Sequence, residues 1–226
     1  MRVTVSEAWA VAFPGARVGT LLMGNAHNVV GNEPLDQHLA HLAARLREHY
    51  AGMDRAQLAD LPTMRAYQQH YRPFGQTYHL LGQLESVVLK GRALRSPGGA
   101  LVTAMFAAEI DNLLLTAGHD ADVVADAVEI DASSDGERFV AISGREVALK
   151  PGDMVMRDAL GVISAVLNGP DQRTRLLPTT TRALYVTYVP AGIADTLVDK
   201  HLEDIAHLVR LAQPEAHVEA RAVYPT

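Results

Sequence analysis

Apolar and polar positions along this chain follow two rhythms, helical in the first half and strand-like in the second. Leu39, Leu42, Leu46 and Tyr50 recur at helical spacing behind Asn32-Glu33-Pro34, a helix start with a capping amide and a proline in the first turn. That helix has one buried stripe and ends near Ala51-Gly52. A short helix over 55–59 stops before Pro62. Thr63 is placed to cap the next, where Met64, Tyr67 and Tyr71 share a face and Pro73 and Gly75 bring the end. Leu84, Val87 and Val88 mark another, closed by Gly91. Residues 101–116 predict the most apolar helix, at the centre of the fold, with Gly118 as its left-handed cap. Residues 3–18 read as strand and turn around Pro14-Gly15, and 21–23 as a further strand.

Strand signals then dominate. Residues 127–131 alternate, 139–142, 146–149 and 154–156 are short, and 161–167 is largely apolar and expected to be buried. Residues 184–189 are the strongest strand of the chain. A helix over 194–211 carries Leu197, His201, Ile205 and Leu208 on one side, and 217–223 predicts a last strand. Helices grouped ahead of strands point to an α+β fold rather than a βαβ alternation. With no internal repeat, low-complexity tract or linker, residues 1–226 are expected to form one domain.

Composition narrows the classes. Hydrophobic residues make up 48% and charged residues 20% of 226, enough for a sizeable core. The chain has no cysteine, which removes disulfides and thiolate metal sites and suits a cytoplasmic protein. The start of the chain has no signal-peptide pattern. The apolar stretch at 101–115 is broken by Glu109 and Asp111, too short and too charged to cross a bilayer. A net charge of −6 means that RNA contact must rest on a local basic patch, and no DNA partner is expected. Nucleotide-loop, serine-elbow and zinc-helix motifs are absent from the sequence. His38 and His41, three apart, read as a solvated helix flank, so neither a metal nor an organic cofactor is expected.

Several pieces carry a family resemblance by their order. They are Tyr71-Arg72-Pro73-Phe74-Gly75, 84–91 with its basic-glycine end, 113–120, Pro151-Gly152-Asp153, 168–174, and Thr179-Thr180-Thr181-Arg182 ahead of the strong strand. Residues 61–193 thereby resemble the B3/B4 domain, the tRNA-binding editing domain of phenylalanyl-tRNA synthetase beta subunits, and its free-standing relatives. A strand–helix extension precedes this core and a helix–strand extension follows it. The resemblance implies a three-layer α+β fold, two packed sheets with helices on one side. It also implies an aminoacyl-tRNA deacylase acting in trans, a hydrolase that removes a wrong amino acid from the acceptor end of a mischarged tRNA. Setting Asp120 on the family's closing aspartate puts Thr103 and Phe106 where the family has aspartate and asparagine. The editing histidine falls at Ala117, with His119 two positions later, and Asp171 is the acid nearest the family's late glutamate.

Ester hydrolysis needs a placed water and donors for a developing oxyanion. His119 and Asp171 are the catalytic candidates, and Glu109, Asn112, Arg173, Thr174 and Thr181 the substrate-binding ones. Glu109 is an acid in the most apolar helix, suited to a substrate ammonium. Arg72, Lys90, Arg92 and Arg95 form the basic set for tRNA phosphates. Two rival readings stay open. One is a non-catalytic module of the same fold that binds RNA, a free amino acid or a small metabolite. The other is a different hydrolase acting on an amino acid ester or amide.

Overall fold

The computed structural model describes residues 1–226 apart from Pro97, Asp126 and Thr226. The first half of the chain holds β1 (Arg2–Val5), α1 (Glu7–Ala12), β2 (Arg17–Gly24), α2 (Glu33–His49), α3 (Arg55–Ala59), α4 (Pro62–Tyr71), a 3-10 turn (Arg72–Phe74), α5 (His79–Val88) and α6 (Ala100–Asn112). Then come β3 (Leu115–Asp120), β4 (Ala127–Ala132), β5 (Arg138–Val140), β6 (Glu146–Ala148), β7 (Met154–Asp158), β8 (Gly161–Ala165), β9 (Gly169–Pro170), β10 (Ala183–Val189), α7 (Asp195–Ala212) and β11 (His217–Tyr224). The fold is α+β. One sheet runs β1-β4-β7-β8-β9, a second runs β11-β2-β10-β3, and β5-β6 form a separate hairpin. Only β1 and β4 pair in parallel among the described strands.

Every residue of β10 is buried, because β2 and β3 flank it and both of its faces are covered. Strand alternation assigns the two faces. Leu115, Ala117 and His119 of β3 share a face with Leu184, Val186 and Tyr188 of β10. That face meets β8 of the other sheet, through Ser164. Thr116, Gly118 and Asp120 share the opposite face with Thr187, Tyr185 and Ala183, and there α6 and α7 pack. Tyrosine hydroxyls tie the layers by bonding backbone carbonyls: Tyr67 to Tyr188, Tyr71 to Val166, Tyr78 to Leu113 and Tyr185 to Leu101.

Three expectations are corrected. The stretch 3–18 contains α1, started by Ser6, whose side chain accepts the Trp9 amide. The start of α4 lies at Pro62, with no side-chain cap, so Thr63 does not cap it. The central helix ends at Asn112, not 116, and its left-handed cap is Leu113 with φ +59°, not Gly118. Gly118 sits inside β3, where a Cβ would meet the end of the Leu176 side chain at 2.8 Å. Among the described residues no helix is long and apolar enough to cross a membrane.

Candidate functional site

With β3 as a strand, His119 lies between the sheets and not at a helix end, and its side chain is fully buried. Its Nδ1 is 2.7 Å from Thr174 Oγ1 and its Nε2 is 3.2 Å from Ser164 Oγ. Thr174 Oγ1 donates to Asp171 Oδ1, which also accepts the Thr174 amide at 2.9 Å. The single hydroxyl proton of Thr174 is therefore spent on Asp171, and His119 must donate from Nδ1. Nε2 is then an acceptor for Ser164, whose oxygen is 2.7 Å from the Tyr188 hydroxyl. Donors thus run one way, from Tyr188 through Ser164, His119 and Thr174 to Asp171. Burial, reinforced by the nearby Arg173 cation, lowers the His119 pKa to about 3, and the ring is neutral at physiological pH.

Arg173 joins this cluster from outside. One terminal nitrogen is 2.8 and 2.9 Å from the two oxygens of Asp158, whose side chain is fully buried. Its Nε is 3.6 Å from Asp171 Oδ2. Burial alone would raise the Asp158 carboxyl, but the Ala125 and Leu160 amides and the Arg173 guanidinium outweigh it and hold it below its ordinary value. An Arg173→Ala variant is expected to cost about 2 kcal/mol by leaving Asp158 charged without its counter-ion, a loss that urea denaturation at neutral pH would measure.

Glu109 and Asn112 belong elsewhere, on the helix-covered face of the same sheet. Glu109 Oε1 accepts the Thr116 amide at 2.6 Å. Burial pushes its carboxyl up to about 8 against the opposing pull of that amide. Asn112 bonds Lys200, Asp204 and the buried His201, whose Nε2 is 2.7 Å from Thr116 Oγ1. The expectation that Glu109 and Asn112 share a site with His119 therefore fails, because odd and even positions of β3 face opposite ways. Thr181 is exposed, and the neighbouring Thr180 makes the buried contact, donating to Asp120 Oδ2 at 2.7 Å.

The basic set does not gather either. Lys90 pairs with Glu85 at 2.8 Å, Arg92 and Arg95 are exposed, and Arg72 lines a separate cleft of about 490 Å³ with Arg65. A cleft of about 520 Å³ does open over the Asp171 end of the hydroxyl chain. Asp171 and Arg173 line it together with Arg138, Arg175, Val140 and Leu160. Leu160 is 75% exposed and Val140 is 43% exposed, so the rim offers apolar surface that the chain itself leaves uncovered. Among the described residues Arg138 is paired only with the exposed Glu146, and Arg175 bonds the Gln172 carbonyl and has no carboxylate partner.

Sequence reading missed Ser164, Tyr188, Asp158, Thr180 and Arg175. The one local signal was Ser164, a lone polar residue within the apolar run 162–167.

No family model matches the chain. Over 67 residues it is 33% identical to the phenylalanine–tRNA ligase beta subunit of Mycoplasma genitalium, a match covering 30% of this chain and 8% of that protein. An N-terminal fragment of the phenylalanyl-tRNA synthetase beta subunit from Pyrococcus horikoshii overlays all of it, 100% of this chain and 54% of the fragment, with a TM-score of 0.51 and 10% identity. The fold is phenylalanyl-tRNA synthetase beta-like. The chain spans about half of the archaeal fragment and under a tenth of the Mycoplasma subunit. Ala117 lies two residues before His119 on β3, so both face the same way.

Proposed function

We propose that this chain recognises the amino-acid-bearing end of a tRNA, at the cleft beside Asp171. The observation that carries this reading is the mixed lining of that one cleft on a phenylalanyl-tRNA synthetase beta-like fold. A tRNA-linked amino acid presents an ammonium group, a side chain and phosphates close together. Asp171 offers a carboxylate to the ammonium, and Val140 and Leu160 offer apolar surface to the side chain. Arg175 and Arg138 offer cations to the phosphates. The acidic balance of the whole chain is compatible with this because the arginines are local to the cleft.

A second reading, a deacylase acting in trans, is favoured by the ordered chain from His119 through Thr174 to Asp171. In it, His119 positions Thr174 and Asp171 and stays neutral throughout. Asp171 would order a water whose oxygen attacks the ester carbonyl, and the ribose hydroxyl would leave with a proton.

The test is binding of a panel of mischarged tRNAs, with ester loss followed in the same samples. Arg175→Glu is expected to weaken binding roughly ten-fold and to flatten its salt dependence. Binding indifferent to Arg175→Glu would sink the first reading. Ester loss at the spontaneous rate across the panel would sink the second.

A further inference from the structure

A second cleft, of about 620 Å³, lies at the C-terminal end of α4 and has no part in the site above. Phe13, Gln69, His70, Phe74 and Lys150 line it. Three stretches distant in sequence build it, the end of α1, the end of α4 with its 3-10 turn, and the turn after β6, and the Lys150 ammonium joins the last two by donating to the Phe74 carbonyl at 2.6 Å. His70 Nε2 is 3.1 Å from Oδ1 of Asp153, whose side chain is fully buried. The other Asp153 oxygen accepts the Leu167 amide at 2.9 Å. A carboxylate only accepts, so Nε2 carries a proton, and the neutral tautomer with that proton has its lone pair on Nδ1. Nδ1 has no hydrogen-bond partner among the described residues. The ring is thus oriented by a buried acid, and in that tautomer Nδ1 is an acceptor at the cleft wall.

The walls define the ligand. The Phe13 and Phe74 rings lie 5.9 Å and 5.7 Å from the His70 ring, a set of π-faces at one opening. Gln69 adds an amide with both donor and acceptor, and Lys150 a cation with two protons to spare beyond its bond to Phe74. No residue described as lining the cleft carries a carboxylate, and the lysine ammonium favours an anion there. A flat, polar-edged ring bearing an anion fits this surface. We propose that this cleft binds a nucleotide. Its base stacks on Phe13 and Phe74 and is read along its edge by His70 Nδ1 and Gln69, and its phosphate meets Lys150. The same chemistry is met in a free nucleotide and in an unpaired nucleotide of an RNA strand.

Trp9, the single tryptophan, has its ring 5.9 Å from Phe13 and reports on the cleft by fluorescence. The experiment titrates the four ribonucleoside monophosphates, the matching nucleosides, ribose 5-phosphate and a short unpaired oligoribonucleotide into the full chain. Saturation by at least one nucleotide or by the oligoribonucleotide is expected, with ribose 5-phosphate unable to compete. Phe74→Ala should weaken binding roughly five- to a hundred-fold through lost stacking. Lys150→Ala should weaken the nucleotide and leave the nucleoside unchanged. Saturation by monophosphates assigns a free nucleotide, and saturation by the oligoribonucleotide alone assigns an RNA strand. Binding by neither overturns the proposal, as does equal binding of ribose 5-phosphate, or indifference to both variants while circular dichroism shows them folded. Arg175→Glu should leave this binding intact, so failure here and failure of the tRNA-end reading are separate results.

Discussion

Stability is expected to peak near pH 6.5 and to fall by on the order of 5 kcal/mol by about pH 3.5. Three buried groups set this shape. His119 and His201 are lowered from 6.5 to about 3, both mainly by burial, so the unfolded chain takes up two protons that the folded chain refuses. Stability conferred by their neutrality is present above pH 6.5 and is lost as pH falls towards 3. Glu109 acts oppositely. Its folded value of about 8 lies above the ordinary 4.5, so the stability that its proton confers is full below 4.5 and drains away as pH rises to 8. Above 6.5 only Glu109 differs between the states, and stability declines by about 1.4 kcal/mol per pH unit. Between 4.5 and 6.5 the histidines outnumber it, and below 4.5 they act unopposed, with the depressed Asp158 carboxyl adding to the acid loss. Denaturant melts from pH 3.5 to 9 would trace the peak. Glu109→Gln, which keeps an oxygen for the Thr116 amide, should remove the alkaline decline and leave the acid limb. A flat profile between 6.5 and 8 in the unaltered protein would show that Glu109 is already ionised.

His119→Ala is expected to cost about 3 kcal/mol. The substitution deletes a fully buried ring and leaves the Thr174 and Ser164 hydroxyls facing a void. Any tRNA-dependent activity should then fall in proportion to the unfolded fraction and return when the temperature is lowered. A general base would behave differently, with stability kept and activity lost by orders of magnitude at every temperature. Ring nitrogens that are both bonded inside the fold argue for the first outcome. Urea denaturation beside a temperature series of the activity separates the two.

Much of the fold was open to sequence reading where patterns are long. The stripe Leu39, Leu42 and Leu46 formed α2, and the β-branched and aromatic run at 184–189 formed β10. The boundary between α6 and β3 was not legible. Leu113-Leu114-Leu115-Thr116 is apolar enough for either element, and the turn that divides them uses a leucine at positive φ where glycine would have signalled it. That one boundary decided the site. Once β3 is a strand, alternation sends His119 to one face and Thr116, with its partners Glu109 and His201, to the other. Asp171 and Thr174, three apart, form a local turn bond of a kind that sequence suggests. Ser164 reaches His119 from the other sheet and Tyr188 joins through Ser164, and no local pattern announces contacts of that range.

The most direct test of the central claim is the affinity of the unaltered protein for one tRNA with and without its amino acid, at a fixed salt concentration. Tighter binding of the charged form is predicted, with the difference removed by acetylating the amino group that Asp171 would meet, while Arg175→Glu weakens both forms alike. Equal affinity for the charged and uncharged tRNA would contradict it.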